Sequence, residues 1–67
     1  MNEKECGEIL RNVRKFMGMT IEEMAERLDV SANTIGSWER GKVYPDEKHR
    51  GIIRSVLGVD IPERSAT

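Results

Sequence analysis

The sequence predicts an all-α fold of four short helices with room for a stunted fifth, and three observations carry that expectation. Thr20 stands three residues before Glu23, the spacing of a capping box, in which each side chain satisfies a backbone N–H left free at a helix start. Apolar residues recur at helical spacing, for example Met24, Ala25 and Leu28, with Glu22, Glu23, Glu26 and Arg27 on the wet side. Ser31 and Asp46 then stand where helices need N-caps, and Gly41 and Gly58 where they need stops.

Helix one is expected over about residues 4–16, with Ile9, Leu10, Val13 and Phe16 or Met17 forming its apolar side and Gly7 weakening its first turn. Helix two begins near Ile21 and stops at Asp29. Val30 turns inward, Ser31 caps helix three over residues 32–40, and Ile35 and Trp38 point to the core. Helix four is expected over residues 47–57, with Ile53, Val56 and Leu57 buried and Gly51 weakening its middle. Asp60 and Pro62 allow at most one further turn before a short polar tail, residues 60–67, and the whole chain, residues 1–67, reads as a single domain.

Two short helices joined by a tight turn, about residues 20–40, form a helix-turn-helix unit, which argues for DNA binding. Charge distribution bears on that expectation more than the net charge of −1 does. Residues 1–39 carry five Lys/Arg against eight Asp/Glu, whereas residues 40–54 carry five against two, so the positive charge follows the motif's second helix. A chain of 67 residues buries little core and is expected to need efficient packing or a dimer partner. The single Cys6 excludes an intramolecular disulfide, no apolar run is long enough for a membrane span and no signal-peptide pattern opens the chain, which together fit a cytoplasmic protein. A lone His49 and scattered carboxylates supply no nucleophile–base pair, phosphate loop or metal-ligand spacing. Neither an enzyme nor a metal or cofactor protein is expected.

The pattern resembles the Xre/Cro-type helix-turn-helix family of small phage repressors, Cro proteins and many bacterial regulators. The resemblance rests on Ala25 at a close helix crossing, on Met24, Leu28, Val30, Ile35 and Trp38, on the cap Ser31, and on the W-E-R-G-K run followed by Pro45. It reaches upstream through L-R-N-V-R-K-F-M-G-M-T and covers roughly residues 10–59. It implies a compact lambda-repressor-like fold of four to five helices whose third helix enters the major groove. The positions that would read bases are then Ser31, Ala32, Asn33, Thr34, Gly36 and Ser37, of which Asn33 is the best placed to form a bidentate pair with adenine. The alternative for Asn33 is that it helps cap the helix. Arg14, the backbone at Ile21, Arg40, Lys42 and Val43 correspond to phosphate-contacting positions, while Ala25, Ile35 and Trp38 are structural. Arg14 and Glu39 form a family ion pair, read either as purely structural or as also aiming Arg14 at phosphate. Lys48, His49 and Arg50 extend the basic run but read first as a solvated face.

Besides the stunted fifth helix, in a region that often pairs subunits in relatives, the chain departs from the family in three places. Ile21 replaces a Gln that contacts phosphate and braces the recognition helix, Asp29 replaces a Gly of the positive-φ turn, a conformation Asp tolerates, and Gly36 and Ser37 leave a small neutral face where relatives carry Gln, Arg or Lys. Such a face either sits deep in the groove, with Gly36 permitting close approach, or depends on shape and flanking contacts, or does not bind DNA. The expected function is therefore a sequence-specific DNA-binding regulator, a repressor of phage or mobile-element kind that acts as a dimer or weak monomer on operator half-sites. The alternative is a protein-interaction module of antirepressor or antitoxin-like type.

Overall fold

Four helices follow one another in the computed structural model, which describes residues 1–64: α1 (Glu3–Phe16), α2 (Ile21–Leu28), α3 (Ala32–Glu39) and α4 (Glu47–Leu57). Each starts on a side-chain cap. Asn2 accepts from the Glu5 N–H at 2.8 Å while the Glu5 carboxylate accepts from the Asn2 N–H at 2.9 Å, a capping box that starts α1 one residue earlier than the sequence reading. Thr20 and Glu23 exchange the same pair of bonds at 3.1 and 2.8 Å. Ser31 Oγ accepts from the Thr34 N–H, and Asp46 Oδ1 from the His49 N–H. That backbone bond, with a second from the His49 ring, holds the Asp46 carboxyl below its ordinary pKa.

The turn between α2 and α3 is decided at Asp29, at φ 56° and ψ 47°, the one non-glycine residue with positive φ among those described. This left-handed residue lets the Val30 N–H reach back to the Ala25 carbonyl at 3.0 Å and close the end of α2. Gly41 and Gly58, at φ 73° and 72°, end the excursions that follow α3 and α4. α3 ends at Glu39, with Arg40 as its cap residue.

α3 packs against both α1 and α2, and α4 against α2. One cluster results, built from Cys6, Leu10, Met19, Met24, Ala25, Leu28, Ile35, Trp38, Ile53 and Ile61. Three sequence expectations about that core are corrected. Phe16 is 92% exposed and Met17 42% exposed, so neither closes the apolar side of α1. Phe16 lies six residues from Leu10, which at about 100° per residue turns it to the far side of the helix. Gly18, at φ 68°, then reverses the chain and delivers Met19 to the core in place of Met17. Val56 is 41% exposed, because α4 meets α2 along the row of Ile53 and half-buried Leu57, and Val56 stands one row aside. The third correction concerns the tail. No helical turn follows Gly58 among the described residues, yet Ile61 is buried in the core, Tyr44 Oη donates to the Pro62 carbonyl at 2.6 Å, and Arg64 Nε meets Glu3 Oε2 at 2.6 Å. The end of the expected polar tail, residues 65–67, lies outside the described residues.

Gly7 is also corrected, from a weak point of α1 to a requirement of it. A Cβ built there would stand 2.3 Å from the Trp38 carbonyl oxygen and 2.8 Å from that of Glu39, so only glycine lets α1 cross the end of α3 at this distance. Ala gains up to about 1 kcal/mol of helix propensity over Gly, but the contact is with backbone and cannot yield by a rotamer change. Gly7→Ala is therefore expected to destabilise by a net of about 1 to 3 kcal/mol, the range for overpacking. Urea denaturation checks this, and a variant as stable as the parent would mean that α1 does not cross α3 here.

Candidate nucleic-acid interface

The helix-turn-helix presents the N-terminal turn of α3 outward. Ser31 and Asn33 are exposed, and Ala32, Thr34 and Ser37 half-exposed. Ser31 supplies the cap and also exchanges a 2.9 Å hydroxyl bond with Thr34 Oγ1, which commits that threonine hydroxyl to the protein. The capping alternative for Asn33 thereby falls: its amide makes no hydrogen bond among the described residues and stands free at the start of the helix. A shallow groove lined by Asn33, Thr34, Ser37, Trp38 and Val43 runs beside it.

Gly36 stands on α3 between Asn33 and Arg40 but is covered. It is buried rather than open on the outward arc, because the Arg40 guanidinium covers it. A Cβ built on Gly36 would meet Arg40 Nη1 at 2.8 Å, Cζ at 3.6 Å and Nη2 at 3.7 Å. The face that reads as small and neutral in the sequence thus carries a folded-back cation. Sequence reasoning missed this feature, although the signal was present: a glycine four residues before an arginine on one helix face.

Behind this face, α3 is tied to α1. Arg14 Nε donates to Glu39 Oε2 at 2.7 Å and Nη2 to Oε1 at 3.0 Å, while Nη1 donates to the Met19 carbonyl at 3.0 Å. Arg11 Nε adds a longer contact of 3.5 Å to Glu39 Oε1. The Glu39 side chain is 2% exposed and that of Arg14 13%. Hydrogen bonding to Glu39 raises the Arg14 pKa further above its already high value, so the guanidinium is permanently charged. All three of its nitrogens are engaged within the protein, which makes the pair a brace for the motif.

The loop after α3 places Lys42 and Val43 in solvent. The Lys42 N–H is spent on the Ser37 carbonyl at 3.0 Å, leaving its ammonium as the free donor, whereas the Val43 N–H makes no backbone bond among the described residues. Ile21 is half-buried against the core, and its backbone N–H opens α2 beside the carboxylates of Glu22 and Glu23, which oppose an anion there. Of the basic run in α4, only Lys48 is fully exposed. Arg50 Nη1 donates to the Pro45 carbonyl at 2.9 Å, and the His49 ring packs edge-on to Trp38 at 5.5 Å, so both serve the fold.

The sequence profile of a family described as helix-turn-helix matches residues 10–64 of this chain. The chain belongs to the Xre/Cro-type helix-turn-helix family. The match extends five residues beyond the resemblance read from the motif, through the docked segment around Ile61, and begins after the Asn2–Glu5 cap and Gly7. A relative, the HTH-type transcriptional activator BcrR of Enterococcus faecalis, is 37% identical over 59 residues, which is 88% of this chain and 29% of that protein. This chain therefore spans less than a third of that relative's length. No helix among the described residues is long and apolar enough to cross a membrane.

Proposed function

We propose that this chain is the sequence-specific DNA-binding unit of a transcription regulator, with α3 entering the major groove. The observation that carries the reading is the outward start of α3, where the Asn33 amide is uncommitted while the helix behind it is held by the Arg14–Glu39 brace. Ser31, Ala32, Thr34 and Ser37 flank Asn33 and offer small polar or methyl contacts to neighbouring bases. Lys42, the Val43 N–H and the Ile21 N–H contact phosphate and fix the register, the last of these weakened by Glu22 and Glu23. Arg14 acts through the brace.

Two copies on half-sites about one helical turn apart form the working unit, acting in the cytoplasm where the DNA lies. Binding of this kind represses by occluding polymerase, as in a phage or mobile-element repressor. Activation, the role in the relative's name, requires a further contact with the transcription machinery, and a promoter fusion separates the two signs. The rival reading, a protein-interaction module, draws on the net charge of −1 and the absence of a glutamine at Ile21.

Selection of bound sequences from a random duplex library at low salt tests the proposal. A recovered consensus supports it, and a flat pool favours the rival. With an operator in hand, Asn33→Ala is expected to cost about 1 to 3 kcal/mol at one base pair, with folding and salt slope unchanged. Competition titrations against singly substituted operators read this out, and an equal loss on every operator removes Asn33 from base reading. Lys42→Ala should instead weaken all duplexes alike and lower the salt slope by about one. A shifted consensus for that variant would move Lys42 into base readout.

A further inference from the structure

The covering of Gly36 by Arg40 gives the third helix a reading group that its sequence conceals. α3 itself, A-N-T-I-G-S-W-E, holds no basic residue. Arg40 caps its C-terminus, and at helical spacing it falls on the same arc as Asn33 and Ser37, which precede it by seven and three residues. Side chains on a helix lean toward its N-terminus, so the head of Arg40 lies one turn back, at Gly36. Because Gly36 has no Cβ, the guanidinium settles onto the helix backbone, at a distance where a methyl group would meet Nη1 at 2.8 Å.

The group held there is charged and uncommitted. Among the described residues no carboxylate lies within 4.0 Å of Arg40, and its side chain donates no hydrogen bond. The nearest acid in sequence, Glu39, is already taken by Arg14 and Arg11. Arg40 is exposed overall. A guanidinium that is planar, permanently charged and already seated against Gly36, beside the cleft it lines with Arg11 and Asn12 of α1, loses little freedom on forming two parallel hydrogen bonds. Its geometric match in the major groove is guanine, through O6 and N7.

We infer that Arg40, seated over Gly36, reads a guanine in the major groove beside the base read by Asn33; the inference rests on the DNA-binding function proposed above. It moves Arg40 from the phosphate-contacting positions implied by the family pattern into base recognition, and it makes Gly36 the residue that positions it. Three helical residues span about 4.5 Å and stacked base pairs about 3.4 Å, so the guanine lies about one or two base pairs from the Asn33 contact.

Library selection with the wild-type chain, followed by competition titrations of Arg40→Lys, Arg40→Ala and Gly36→Ala, tests this. The expected result is a G·C pair in the wild-type consensus whose preference over the other pairs falls about 5- to 150-fold in both Arg40 variants. Arg40→Lys keeps the charge and so should keep the salt slope, which separates a lost fork from a lost phosphate contact. Gly36→Ala meets only a flexible side chain, so it should fold, as circular dichroism would show, and lose preference at that same pair. Full preference in Arg40→Lys overturns the inference, as does a uniform loss on all duplexes with the salt slope lowered by one in Arg40→Ala. Unchanged preference in Gly36→Ala overturns the positioning role. A wild-type chain that selects no sequence overturns the DNA-binding function and this inference together, whereas a selective wild type with three equally selective variants overturns this inference alone.

Discussion

Replacing Trp38 by alanine is expected to cost about 3 to 5 kcal/mol, the range for truncating a large buried aromatic side chain. Trp38 lies in the shared cluster with α1, α2 and α4 residues and stacks edge-on with His49, so its loss opens a cavity at the meeting point of the bundle. A domain of this size has a total stability of only about 3 to 10 kcal/mol, so a large fraction of the variant should be unfolded at room temperature. Cys6 provides the measurement. It is buried, and that burial pushes its thiol pKa up to about 11, so the native protein should resist iodoacetamide at pH 8. Trp38→Ala should be alkylated quickly. A melting temperature within a few degrees of the parent, with Cys6 still protected, would contradict the central place given to this side chain.

Glu39→Ala is expected to cost about 3 kcal/mol or more, because it strands Arg14 in a site where the guanidinium had both carboxylate oxygens as partners. Part of the loss is recovered if Arg14 swings outward to water, which places the value at the lower end of the range for broken buried pairs. Glu39→Gln retains an acceptor without the charge and should cost less. The double variant Arg14→Leu, Glu39→Leu should recover much of the stability, since removing both charges leaves neither one buried alone. Denaturant titration of the three variants gives the comparison. A Glu39→Ala variant within 1 kcal/mol of the parent, a threshold set by the modest worth of exposed pairs, would mean that the brace is dispensable. Because the brace orients α3, that outcome would also weaken its place in the DNA-binding proposal.

The local features of this chain were legible without its structure. The Thr20–Glu23 box, the Ser31 and Asp46 caps, the stop at Asp29 and the glycine stops at 41 and 58 depend on residues within one turn of one another, and the helices lie where these signals put them. The Arg14–Glu39 pair, 25 residues apart, was legible only through family resemblance. Asn2 with Glu5 carries the same capping signal at the chain start.

What escaped the sequence has a common physical origin. Phe16 and Val56 are apolar and at plausible spacing, yet burial needs a neighbour on the other side, and the described residues leave Phe16 almost bare and Val56 only partly covered. Ile61 stands in a polar segment and is buried all the same, because the tail folds back and is held through Pro62 and Arg64. Gly7 looks like a flaw in a helix until the backbone of α3 is placed against it, and Gly36 looks like a gap until Arg40 fills it. The sequence by itself determined where the helices start and stop, since hydrogen bonds to nearby N–H and C=O groups settle that. Only the tertiary structure decided which faces are dry, which glycines are obligatory and where the charge on α3 lies, because each depends on the distance between groups the chain keeps apart until it folds.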